Sequence, residues 1–103
     1  MPLDKNGKPI LFKPWVNKTK SKSKYFVYVA SDNKKGFKKI GFGQKGMGQY
    51  RDKGKYYSAL DHNDKERRRL YLARARGIKN KKGELTYKDK NTANYWSINY
   101  LWL

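Results

Sequence analysis

The sequence predicts an α+β fold: a small single domain with a β-hairpin, one Arg-rich helix, a short C-terminal aromatic helix and an extended basic N-terminal arm. Three stretches lead to this prediction. Residues 25–30 and 37–42 alternate in the manner of paired strands, residues 64–76 contain no Gly or Pro, and residues 92–103 repeat aromatic side chains at helical spacing. These stretches predict two strands and two helices around one core.

The composition limits the size of the core and the kind of partner. The 103 residues include 26 Lys and Arg but only 8 Asp and Glu, which gives a net charge of +18. Leu, Ile, Val and Phe number only 19, a level at which high charge favours disorder, but nine Tyr and three Trp supply large apolar area. We expect a thin aromatic core and a polyanionic partner; by charge alone, nucleic acid, an anionic membrane and an acidic protein surface all qualify.

Several function classes find no support in the sequence. The chain has no Cys and no apolar run near the roughly 20 residues that span a bilayer, and residues 1–5 do not resemble a signal peptide. His62 is the only histidine, and no nucleophile and base pair is evident. We expect no enzyme activity, cofactor, small-molecule substrate or membrane partner, and a cytosolic protein or one assembled into a particle there.

The arm, residues 1–24, precedes the domain, residues 25–103. It holds seven Lys and one Asp, and Pro9 and Pro14 disfavour a helix. We expect a partner, such as a neighbouring molecule in an assembly, to hold this arm in place. Its candidate partner-binding residues are Trp15, Lys18, Lys20 and Lys22.

A glycine-rich segment follows the hairpin. Gly41, Gly43 and Gly46 satisfy the spacing G-x-G-x-x-G, but Gly48 and Gly54 interrupt the helix that a dinucleotide site needs. A tight turn with positive φ is favoured over a nucleotide site. A loop that cradles one phosphate stays open as an alternative.

The predicted Arg-rich helix begins at the cap Asn63, with Glu66 reaching back to it, and ends at Gly77 in the left-handed conformation. At about 100° per residue, Arg67 and Arg74 share one side and Arg69 and Arg76 nearly the opposite side. Either these side chains are solvated or bonded within the domain, or the helix contacts an anionic surface. The candidate partner-binding residues of this helix are Arg67, Arg68, Arg69, Arg74 and Arg76.

The remaining segments fit a structural role. A metal site would need His62 with Asp61, Asp64 and Glu66, but acidic side chains at this position favour a helix start instead. Residues 78–91 predict a basic loop with a turn at Lys82-Gly83. The aromatic segment 92–103 predicts a helix, capped by Thr92 or Asn91, that packs on the hairpin. An aromatic patch for a partner is the alternative.

An ordered set of short motifs resembles the small basic virion proteins of crAss-like tailed phages and large DNA viruses. The motifs are Lys39-Ile40-x-Phe42-Gly43-x-x-Gly46, Tyr50, His62-x-Asp64, Arg67-Arg68-x-x-Tyr71-x-x-Arg74, Thr92-Ala93-x-x-Trp96-Ser97 and Leu101-Trp102. The large-virus members have a shorter stretch where this chain inserts residues 79–90. For the phage branch the resemblance implies a non-enzymatic auxiliary capsid protein in the virion, assembled in the host cytoplasm, that binds the major capsid protein and other virion proteins. The alternative is a sequence-nonspecific DNA-binding protein associated with the packaged genome.

Overall fold

The computed structural model describes residues 2–103, and Met1, the first residue of the predicted arm, lies outside them. Strands β1 (Trp15–Val16), β2 (Ser23–Ala30) and β3 (Phe37–Gln44) form an antiparallel sheet in the order β1-β2-β3. Helices α1 (Lys65–Ala75) and α2 (Ala93–Leu101) follow, with 3-10 turns at Ser58–Leu60 and Thr86–Lys88. The predicted α+β fold with a hairpin, an Arg-rich helix and a C-terminal aromatic helix is confirmed.

The main core lies between one face of the hairpin and α2. Alternation brings Tyr25, Val27 and Val29 of β2 to this face, where Tyr25 is paired with Phe42 of β3. The ring centroid of Tyr25 lies 5.7 Å from that of Phe42 and 5.0 Å from that of Tyr100 in α2. The aromatic tail therefore packs on the hairpin, as the core interpretation predicts.

Helix α2 lies between the sheet and α1. Leu101 is buried against the sheet, whereas Ile98 is buried with Leu72 and Ala75 of α1. The hydroxyl of Thr92 accepts a hydrogen bond from Tyr95 N (3.4 Å), which confirms Thr92 as one of the two predicted caps. The far side of α1 and the far face of the sheet are left as outer surfaces.

The start of α1 differs from the prediction. The cap is Asp64 rather than Asn63, because Asp64 Oδ1 accepts from Glu66 N (3.0 Å) and Arg67 N (3.2 Å). Asn63 instead has a left-handed φ of 51°, and the carboxylate of Glu66 binds Arg69 rather than reaching back. A carboxylate cap is favoured here because it also interacts with the positive end of the helix dipole.

The end of α1 also differs from the prediction. Gly77 does not take a positive φ; its N–H donates to Arg74 O (3.1 Å), and Ile78 N donates to Ala75 O (3.3 Å). These i→i+3 bonds tighten the last turn and satisfy the final carbonyls without a left-handed residue.

Part of the predicted arm joins the sheet. Strand β1 pairs with β2, and Phe12 N donates to Tyr28 O (2.8 Å). The chain's own sheet thus holds Phe12, Trp15 and Val16, and the partner predicted to hold the arm stays a prediction. The division into an arm and a domain stays a prediction, with the addition that the arm supplies the third strand.

Candidate functional site

The outer side of α1 combines positive charge with an exposed leucine. Leu72 and Ala75 face α2, so the opposite half of the helix faces outward. At about 100° per residue, Leu70 lies nearest the middle of that outward half, with Glu66 next to it and Ala73 and Arg74 a little farther out. Leu70 is 54% exposed, although it lies on a helix that buries other leucine and alanine side chains. Four exposed arginines flank Leu70: Arg67 and Arg74 lie on one side, and Arg69 and Arg76 lie on the other.

Local carboxylates pair with two of these four arginines. Arg67 Nε lies 3.8 Å from Asp64 Oδ2, and Arg69 pairs with Glu66, whose pKa it lowers through a hydrogen bond. Both pairs are exposed, so each contributes little to stability. Arg74 and Arg76 have no carboxylate partner within 4.0 Å among the residues that the structure describes. The outward half of α1 is therefore a cationic surface with an apolar centre, which we call the α1 face.

The side chain of Arg68 points toward the C-terminal segment, away from the other arginines of α1. Its Nε donates to Trp102 O (3.1 Å), and its guanidinium carbon lies 5.1 Å from the ring centroid of Tyr50. The ring of Trp102 also stacks on Tyr71, with centroids 4.0 Å apart. Arg68 thus joins α1 to the C-terminal segment, and its predicted contact with a partner stays a prediction.

His62 serves the local fold. Its Nδ1 accepts a hydrogen bond from Asp64 N (2.9 Å), which helps to place the cap of α1. Its ring lies against Tyr50 and Trp102, with centroid distances of 6.3 Å and 5.2 Å. Within residues 2–103 no group of three or more His, Asp and Glu side chains could hold a metal ion.

The glycine segment covers the end of β3 and the turn that follows it. Gly46 lies in that turn with a positive φ of 84°, as the turn interpretation predicts, whereas Gly43 has a positive φ of 70° within β3. A Cβ on Gly43 would lie 2.7 Å from Leu101 Cδ1, so this glycine also permits close packing of β3 on α2. Across the described part of the chain, no helix has the length and apolar character to cross a membrane.

A buried polar network, absent from the predictions, lies beneath the hairpin. Asp52 is 2% exposed, and its carboxylate accepts from the Tyr25 hydroxyl (2.7 and 2.8 Å), Gly54 N (2.9 Å) and Tyr57 N (2.7 Å). Lys24 is 1% exposed and donates to Met47 O (2.6 Å) and to Gln49 Oε1. The only signal in the sequence was a lysine inside a strand pattern. Such a pattern does not reveal the hydrogen-bond acceptors of that lysine, which lie 23 or more residues away.

Burial shifts the titration of this network. Burial raises the pKa of Tyr25, and the hydrogen bond to the Asp52 carboxylate raises it further. Burial lowers the pKa of Lys24, while the negative charges of Asp52 and Asp61 oppose that shift. Perturbed groups can mark active sites, but here each has an internal partner, so the network has the character of a structural element.

The candidate residues of the arm lie on the other side of the molecule. Trp15 is in β1 and packs on the outer face of the sheet, against Phe26 and Tyr28. Lys18, Lys20 and Lys22 are exposed in the loop between β1 and β2. Helix α2 and the sheet separate these four residues from the α1 face, so the predicted partner-binding residues form two surfaces rather than one.

Comparisons of the chain with protein-family models, with curated proteins and with solved structures find no match. The resemblance to basic virion proteins therefore stays a prediction from the motifs.

Proposed function

We propose that this protein is a structural, non-enzymatic virion component: an auxiliary capsid protein that binds the major capsid protein lattice through the α1 face. The observation that carries the proposal is the exposed Leu70, which has Arg67 and Arg74 as helical neighbours on a helix that also exposes Arg69 and Arg76. Protein interfaces typically combine an apolar centre with a polar rim, and arginine is enriched in them. The phosphate backbone of duplex DNA offers no apolar site for a leucine.

The charge of the α1 face selects the partner surface. Arg74 and Arg76, which have no carboxylate partner among the described residues, favour an acidic partner, because bringing them to a neutral or basic surface would desolvate them without compensation. Because Leu70 is 54% exposed, its burial would add about half of the roughly 1.5–3 kcal/mol that burying a fully exposed leucine contributes, and salt does not screen this part. Binding to a capsid seam should therefore keep an apolar component at high ionic strength.

The motif resemblance agrees with this proposal, and it supplies the location. The partners would be the major capsid protein and other virion proteins, and the site of action would be the capsid assembled in the host cytoplasm. Neither the proposed contact nor the fold requires a cofactor, a small-molecule substrate or a membrane.

The test is binding to empty capsids, with matched leucine variants. Leu70→Gln keeps helix propensity but removes the apolar centre, whereas Leu85→Gln makes the same change at another exposed leucine (39% exposed). We expect Leu70→Gln to lose the salt-resistant part of capsid binding and Leu85→Gln to keep it. Wild-type protein that fails to bind capsids, or a Leu70→Gln variant that binds as wild type does, contradicts the proposal.

Sequence-nonspecific DNA binding is the second candidate. The observation that favours it is the net charge of +18, which is what remains after all eight Asp and Glu side chains are set against the 26 Lys and Arg. Phosphate binding releases counterions, so log affinity should fall linearly with log salt concentration. Micromolar binding of random duplex DNA with such a slope, together with no binding to capsids, would favour this candidate over the capsid protein.

A further inference from the structure

The sheet face turned away from α2 carries a cluster of aromatic rings, which we call the aromatic sheet face. The ring centroid of Trp15 lies 5.9 Å from that of Phe26 and 4.8 Å from that of Tyr28. The ring centroid of Phe37 lies 5.6 Å from that of Tyr28, and the two rings meet edge-on. Trp15, Phe26 and Phe37 are only half-buried, so the rings form a partly open strip across all three strands.

Lysines surround this strip. Lys39 Nζ lies 4.3 Å above the ring centroid of Phe26, on the same face of the sheet. Lys18 lines a groove of about 520 Å³ together with Trp15 and Phe26, a volume in the range of small-ligand sites. No carboxylate lines that groove. The groove therefore offers ring faces and positive charge side by side.

The loop that carries Lys18, Lys20 and Lys22 is held in place by Asn17. The buried Asn17 accepts from Thr19 N (2.8 Å) and donates to Ser21 Oγ (2.7 Å) and Ser23 O (2.8 Å). These bonds close the segment 17–23 into a compact turn, so the lysines extend from a fixed backbone beside the rings. Preorganisation of this kind lowers the entropic cost of binding.

We propose that the aromatic sheet face binds single-stranded DNA, with unpaired bases stacking on Trp15 and Phe26 and phosphates binding Lys18 and Lys39. Aromatic rings within a cationic groove are the general means of binding single strands, because every unpaired base presents a π-face. A duplex hides those faces within its stack. Lys39 would exchange the ring of Phe26 for a phosphate, which frees that ring for a base.

This inference goes beyond the capsid proposal and does not depend on it. The two surfaces lie on opposite sides of α2, and they share no residue. A protein with both surfaces would bind a capsid through the α1 face and single-stranded DNA through the aromatic sheet face.

The experiment measures fluorescence anisotropy of a labelled oligo(dT) and of a duplex of equal length at physiological salt. The variants are Trp15→Leu, which keeps an apolar residue in β1, and Lys39→Gln, which leaves the sheet core intact. Lys82→Gln in the distant loop is the charge-matched control for Lys39→Gln. Thermal unfolding of each variant establishes that it is folded.

We expect tighter binding to oligo(dT) than to the duplex, accompanied by quenching of tryptophan fluorescence. Trp15→Leu should weaken oligo(dT) binding about tenfold or more, the scale of one lost stacking contact. Lys39→Gln should weaken it more than Lys82→Gln does. Leu70→Gln should leave it unchanged, so this inference and the capsid proposal can fail separately.

Three results would overturn the inference. The first is duplex binding as tight as oligo(dT) binding, because base stacking would then contribute nothing. The second is a folded Trp15→Leu variant with wild-type affinity for oligo(dT). The third is loss of capsid binding by Trp15→Leu without any binding of oligo(dT), which would make the aromatic sheet face a protein interface instead.

Discussion

Truncation of Asp52 should be among the most destabilising single changes in this fold. Asp52→Ala removes the acceptor for three donors, the Tyr25 hydroxyl and the backbone N–H groups of Gly54 and Tyr57. It also removes a negative charge that opposes the effect of burial on the pKa of Lys24. An unpaired buried donor costs about 1–3 kcal/mol, and breaking a buried charged cluster about 3–5 kcal/mol.

We therefore expect Asp52→Ala to lower the free energy of unfolding by about 3–5 kcal/mol, a large part of the roughly 5–15 kcal/mol typical of domains. Urea unfolding followed by tryptophan fluorescence measures the change. Tyr25→Phe removes one donor of the three and should cost about 1.5–3 kcal/mol. Asp32→Ala, in the exposed hairpin turn, is the matched control and should change stability by less than about 0.5 kcal/mol. If Asp52→Ala is as stable as Asp32→Ala, the network does not stabilise the fold.

Four further changes test the fold. Because the folded pKa of Tyr25 is raised above the ordinary value of 10.0, its stabilising effect is present below that pH and is lost as the pH rises through it. The stability difference between wild type and Tyr25→Phe, measured by urea unfolding, should therefore shrink in alkaline buffer. Asp64→Ala should cost about 1 kcal/mol as the loss of a cap, whereas Asn63→Gly should be nearly neutral because Asn63 has a left-handed φ; equal losses would restore Asn63 as the cap. Gly43→Ala should lower Tm by several degrees through strain at φ 70° and contact with Leu101, and an unchanged Tm would contradict that packing. Raising the salt concentration should raise Tm, because it screens repulsion within a chain of charge +18; a fall would show that ion pairs dominate.

Local patterns in the sequence were sufficient for the hairpin and for α2. Strand alternation in residues 25–30 places Tyr25, Val27 and Val29 on one face, and only an apolar partner such as α2 can cover that face. Thr92 precedes an apolar helical repeat, so neighbouring residues alone limited the predicted cap to Thr92 or Asn91.

Local patterns were insufficient where contacts with residues distant in the sequence decide which of two neighbouring residues takes a structural role. Asn63 and Asp64 are both good caps by residue type, but Asn63 N bonds Tyr50 O and Asp64 N bonds His62 Nδ1, which fixes Asp64 at the cap position. Strand β1 has only two residues, too few for any period. The cationic candidates likewise lie on two surfaces, because the fold places α2 between the arginines of α1 and the lysines of the arm.

The few acidic residues explain why so much charge stays available for partners. Asp52 and Asp61 accept hydrogen bonds inside the fold, and Asp64 caps α1. Asp4 accepts from the backbone N–H groups of Asn6 and Lys8 rather than pairing with a lysine. Most carboxylates are thus used to satisfy backbone and buried donors, and they neutralise little of the surface. The folded chain consequently repels itself, and any polyanion that binds either cationic surface should stabilise the fold by an amount that rises with the logarithm of its concentration divided by its Kd. A capsid lattice and a DNA strand would both do so, but on different faces, so the variants at Leu70 and Trp15 identify which partner provides the stabilisation.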